Sequence, residues 1–195
     1  MKKNLALLFI IAVLNTGCIS VTKELPAYNT YKLNLEEKSK TTKRLNSSIK
    51  VSEPTALLSI NNKSINYSLE DNRFESYALS KWSDTPSKMI QNMILEYFSN
   101  NGDFKYTASS NMNVRTDYKL LSQIESFQQV IKEDGSFVKV QIAVYLKDSN
   151  STVSYKKFNY KVKSGSSDAK GAVEVFNTIA NSFVKELNVW VLGSL

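Results

Sequence analysis

The chain has 195 residues, 42% of them hydrophobic, with one cysteine, no histidine and a formal net charge of +7. That length suits a single domain with a core of its own. The composition excludes an intrachain disulfide, a Cys/His zinc cluster and any catalytic unit built on an imidazole.

The N-terminus is the most informative stretch. Met1-Lys2-Lys3-Asn4 is positively charged, and residues 5–14 (LALLFIIAVL) are apolar throughout. Ten apolar residues are too few for a spanning helix, which needs roughly 20. They fit a secretory leader. Asn15-Thr16-Gly17-Cys18 follows and resembles the lipobox of bacterial lipoproteins, with Asn15 where that pattern usually has Leu. The resemblance implies removal of residues 1–17 and lipid attachment at Cys18. Each acyl methylene that enters a bilayer contributes ~0.8 kcal/mol, so two or more chains anchor stably. Ile19, in place of Asp, favours the outer membrane and leaves the inner membrane open. Residues 18–26 read as a tether and 27–195 as a periplasmic domain.

Along that domain, 27–33 carries Tyr28 and Tyr31 and reads as a strand. Residues 34–47 are polar and read as a loop, and 48–52 as a short strand closed by Pro54. Two alternating runs, 63–70 and 73–80, flank Asp71-Asn72 and predict a hairpin. Asp84 or Thr85 can cap a helix with Pro86 in its first turn. Met89, Ile90, Met93, Ile94, Tyr97 and Phe98 give that helix one apolar face, and Asn100-Asn101-Gly102 ends it. The methionines read as core.

A short strand is expected at 104–108, then a strand-rich block over 116–163. Tyr118, Leu120 and Ile124 share one parity and Phe127 takes the other, which predicts a bulge. Asp134-Gly135 is hairpin chemistry. Val138, Val140, Ile142, Val144 and Leu146 alternate cleanly. Val153, Tyr155, Phe158, Tyr160 and Val162 form a third strand with a second parity shift at Lys156-Lys157. Ser166-Ser167-Asp168 can cap a last amphipathic helix over 169–189. The expected fold is α+β: an antiparallel meander of long strands plus N-terminal strands, packed against two amphipathic helices.

No glycine pattern for phosphate binding occurs, and the paired acids fall in predicted loops or turns. No cofactor or metal is called for. The scattered lysines read as a solvated surface, with anionic headgroups or an acidic partner as the functional alternative. Nucleic acid is not an expected partner of an exported chain.

The stretch from Glu75 to Pro86 (ESYALSKWSDTP), then Asp117-Tyr118-Lys119-Leu120 with Ile124 and Phe127, and the terminal helix resemble the ABC-type transport auxiliary lipoproteins of the paraquat-inducible protein C type. The resemblance spans most of the chain from Tyr28 onward. It departs from the family at 48–63, where prolines are sparse. It implies a non-enzymatic part that works beside an ABC permease, its ATPase and a mammalian-cell-entry (MCE) type periplasmic protein. The expected role is lipid transport between membranes, with docking of the MCE protein at the outer membrane. Tyr77, Trp82, Asp84 and Pro86 would then be a structural or partner-binding motif. Tyr77 and Trp82 read as core or hinge residues before ligand contacts. A homo-oligomer stays open. The competing readings are a lipoprotein that activates a cell-wall synthase or assists envelope assembly, and a carboxylate-dependent hydrolase.

Overall fold

The computed structural model describes residues 27–36, 44–70 and 73–195. The leader, Cys18, the tether, part of the 34–47 loop and the Asp71-Asn72 pair lie outside the described residues.

Alternation builds the largest part of the fold. Strands β7 (Tyr118–Lys132), β8 (Gly135–Asp148) and β9 (Val153–Lys163) form an antiparallel meander. Gly135, at φ 131°, supplies the backbone that joins β7 to β8 in a tight turn. The expected bulge is present: the β7–β8 register slips between Ile124 and Ser126. That extra residue returns Phe127 to the buried face of Ile124.

The second expected shift is absent. β8 and β9 pair without interruption from Phe137 opposite Lys163 to Lys147 opposite Val153. Val153 and Tyr155 therefore occupy the outer face of the sheet, opposite to Phe158 and Tyr160. There the Tyr155 ring meets Tyr145 at 4.9 Å. That cross-strand contact, not a bulge, is why these apolar residues stand out of phase.

The N-terminal half adds short strands: β1 (Asn29–Tyr31), β2 (Ser48–Val51), β3 (Thr55–Ala56), β4 (Ser64–Leu69), β5 (Phe74–Trp82) and β6 (Tyr106–Ser109). β4 and β5 form the expected hairpin, with an irregularity between Ser64 and Asn66. The sheet differs from the expectation in being mixed. β2, β3 and β4 lie end to end along the free edge of β7, all parallel to it. Ile49 stands opposite Tyr118, Thr55 opposite Gln123 and Tyr67 opposite Gln129. β6 pairs parallel with β2, and β1 parallel with β5. Parallel pairing needs a long crossover, and helix α1 lies on the path from these strands to β7.

Both helices cover one face of the sheet. α1 (Pro86–Asn101) starts as expected: Thr85 Oγ1 accepts from Lys88 N at 3.4 Å, Pro86 opens the first turn, and Gly102 at φ 75° ends it. Asp84 takes no part in that cap, and its Oδ1 accepts from Thr85 N at 2.8 Å. α2 (Ala169–Gly193) is capped by Asp168, whose Oδ1 accepts from Gly171 N at 2.8 Å, and runs one turn past the expected end. Ile90, Ile94 and Phe98 of α1 and Phe176, Phe183 and Leu187 of α2 bury against Val138, Ile142 and Val144 of β8. Each such side chain contributes about 1.5–3 kcal/mol. Met89 and Met93 belong to the same core.

Candidate functional site

The four motif residues separate into two roles. Trp82 ends β5 and is only 1% exposed. Its ring meets Phe176 of α2 edge-on at 5.4 Å and Phe127 of β7 at 5.8 Å, while Phe127 and Phe176 stack at 4.3 Å. This aromatic triad fastens the terminal helix to the sheet. Pro86 and Thr85 launch α1 directly after it, so the segment from Trp82 to Pro86 fixes where both helices meet the strands. Asp84 orients the turn between them.

Tyr77 lies on the same strand, half-buried, and enters a polar network. Its hydroxyl donates to Gln129 Oε1 and reaches Ser167 O at 3.1 Å. Gln129 Nε2 donates to Ser136 Oγ at 3.1 Å and to Ser166 O at 2.9 Å. Ser136 Oγ and Ser164 Oγ converge on that same carbonyl, at 3.0 and 2.8 Å. Ser166 Oγ donates to Asp168 Oδ1 at 2.9 Å. The bend that feeds α2 is therefore held by side chains from β5, β7 and β8. Burial, then the charge of Asp168 and the neighbouring Tyr67, push the Tyr77 phenol up to about 12. The phenol therefore stays a neutral donor, and its bonds make the network a latch on the bend before α2.

Sequence reasoning missed Gln129, Ser136 and Ser164, and saw Ser166 only as a candidate cap of the last helix. A signal existed: Gln129 follows Ile124 and Phe127 on the buried parity of β7, where an unpaired amide would be costly. A second set was also missed. Asn177 and Asn181, one turn apart in the apolar stripe of α2, hold the chain that follows β1. Asn34 N donates to Asn177 Oδ1 at 2.8 Å and Glu36 N to Asn181 Oδ1 at 3.0 Å. Asn181 Nδ2 returns a bond to Asn34 O at 2.9 Å. The segment arriving from the N-terminus is thus strapped across the terminal helix.

Among the described residues there is no group of three or more acidic, His or Cys side chains able to hold a metal, and no helix long and apolar enough to cross a membrane. A solvent-open depression of about 440 Å³ lies between Tyr28, Lys63, Ser76, Tyr77, Ala78 and Lys81.

The family model of the ABC-type transport auxiliary lipoprotein component matches residues 31–188, from β1 to the last turns of α2. The chain belongs to that family. The lipoprotein is similar in fold to the crystal structure of protein XCC0632 from Xanthomonas campestris. The TM-score is 0.75 and the identity 18%, over 84% of this chain and 95% of that one. It is also similar to an uncharacterized protein, with TM-score 0.63 and 14% identity over 84% and 96% of the two chains. A PelC dodecamer from Paraburkholderia phytofirmans aligns at TM-score 0.41 and 13% identity over 73% and 90%. No curated protein matches the chain by sequence.

As a family member, the protein is an auxiliary lipoprotein of an ABC-type transport system, a non-catalytic role. Its motif from Tyr77 to Pro86 is brought together as architecture: the motif residues hold the two helices and the bend before α2. The outer face of the meander is what remains open. Lys119, Lys139, Lys147, Lys157 and Lys161 stand there, with Glu125 paired to Lys157 at 2.5 Å.

Proposed function

We propose that this lipoprotein is anchored through acyl chains on Cys18 and serves a transport system that moves lipid between the two membranes of the envelope. It docks the MCE-type periplasmic component at the outer membrane, while the ATPase of the system supplies the energy. The observation that carries this reading is the family match over residues 31–188, beginning a few residues after the tether that the lipobox predicts. A rigid helix-on-sheet domain with a lysine-rich open sheet face suits a docking piece.

Two measurements test it. Mass analysis of the mature N-terminal peptide should find a diacylated Cys18 and no leader; a free thiol refutes the anchor. Affinity capture of the acylated chain from detergent-solubilised envelopes should recover an MCE-type protein. Recovery of a cell-wall synthase in its place refutes the transport role.

A further inference from the structure

Leu57 and Leu58 are adjacent and stand 72% and 87% exposed, among the most exposed large apolar side chains of the described residues. They do not hang on a loose loop. Ile60 N and Asn61 N both donate to Leu57 O, at 2.9 and 2.8 Å, and Asn62 Nδ2 donates to Leu58 O at 2.9 Å. Asn66 Nδ2 secures Ser59 O from β4 at 2.9 Å, and Asn61 Oδ1 accepts from Ser87 N at the start of α1 at 3.2 Å. β3 immediately before the turn is paired to β7. A hydrogen-bonded turn thus presents two adjacent leucines to solvent.

Lysine and tyrosine side chains neighbour the turn. Lys63 follows the turn and donates to Ser83 O at 2.8 Å, which leaves two of its three ammonium donors over. Trp82 N bonds Lys63 O at 2.7 Å, and Lys81 next to it lies 4.8 Å from the ring centre of Tyr28. Tyr28 is 57% exposed. Exposed leucines together with tyrosine and lysine are the composition of segments that lie on a bilayer.

Chain length selects the occupant. Eight residues, 19–26, separate Cys18 from the first described residue, Ala27, and a span of that length reaches at most roughly 30 Å when fully extended. Tyr28 sits where that tether enters the domain. The geometry points to the Leu57-Leu58 turn as a second membrane contact, seated in the acyl boundary beside the anchor, with Lys63 and Lys81 meeting lipid phosphates. It turns a domain on a string into one held at a fixed tilt.

The proposal rests on acylation at Cys18, which the mass measurement checks separately. The test uses the acylated full chain with Leu58→Cys carrying an environment-sensitive fluorophore, and a twin labelled through Asn150→Cys in the exposed β8–β9 turn. Acylated Cys18 has no thiol to compete for the label. Both are incorporated into vesicles of phosphatidylethanolamine with a minority of phosphatidylglycerol. Emission at 58 is expected to shift to the blue and to be quenched by nitroxide-bearing lipid, while the label at 150 stays water-like. Protein that co-floats with vesicles yet leaves 58 water-like overturns the contact and not the anchor. Equal quenching at both positions overturns it as well. So does a blue shift that depends on protein concentration without vesicles, since that would make a second copy the occupant.

Discussion

Gly171 offers a test in which two effects of opposite sign compete. It occupies the first turn of α2, where alanine would ordinarily gain up to about 1 kcal/mol of helix propensity. Here an added methyl carbon would stand 2.2 Å from Ser166 Oγ, 3.1 Å from Ser164 Oγ and 3.2 Å from Ser166 N. The first distance is impossible, so the Ser166 hydroxyl must leave Asp168. Its hydrogen bond to that carboxylate is worth ~1 kcal/mol once solvent exposure is allowed for. The backbone at Ser166 must also yield, and overpacking of this kind costs about 1–3 kcal/mol. The carbonyl of the same residue takes bonds from Gln129, Ser136 and Ser164, so a shift there strains the latch. The net expectation for Gly171→Ala is a loss of about 1–2 kcal/mol, hence a Tm lower by roughly 2–8 °C.

Ser166→Ala removes the clashing atom. In that background the contacts with Ser164 Oγ and Ser166 N remain, so Gly171→Ala should fall within about 1 kcal/mol of neutral. Urea unfolding of the four chains by circular dichroism closes the cycle, with a coupling of about 1–2 kcal/mol between the two sites. Additivity within ~0.5 kcal/mol, or a single Gly171→Ala chain more stable than the parent, would show that no such contact exists.

Trp82→Ala should cost about 3–5 kcal/mol, because it opens a cavity between Phe127 and Phe176; a loss under ~1 kcal/mol in the same assay would contradict the triad. Acid should destabilise the fold through two carboxyls. The Asp117 carboxyl is held below its ordinary 3.8 chiefly by the Ser48 hydroxyl and amide, and that of Asp168 by the Gly171 amide and Ser166 hydroxyl. A depressed folded value means that stabilisation is complete above the unfolded value and fades as pH falls through the folded one. Replacing both by Asn should flatten the stability profile below pH 3.8, as followed by fluorescence during acid titration. An unchanged acid limb would reject the assignment.

The long β7–β8–β9 meander and both helices were legible because each repeats its own period over ten residues or more and carries its own stop signals. Thr85-Pro86 and Asn101-Gly102 are local chemistry, and they act where local chemistry says they should. The parallel seating of β2, β3 and β4 on β7 was not legible. Strands of two to six residues have too little pattern to name a partner more than sixty positions away. The phase of Val153 and Tyr155 was misread for a related reason. Alternation reports which residues share a face, and an apolar residue on the open face, here paired to Tyr145, looks like a slip in register. In the motif, Trp82 announced itself by size, whereas the latch around Gln129 is assembled from ordinary serines that only the folded chain brings to one carbonyl. The lipid-attachment signal at Cys18 stayed a matter of sequence throughout.

The seating of three strands along β7 bears on export. Everything before residue 118 owes its place in the sheet to a segment that leaves the ribosome later. Among the described residues, the first hundred complete only the β4–β5 hairpin and the β1–β5 pair by themselves, and these join the rest of the sheet through β7. Contacts of such long range form slowly. For a chain exported as proposed above, this delay is useful, because the front half lacks the central strand of its sheet until the back half has followed it across.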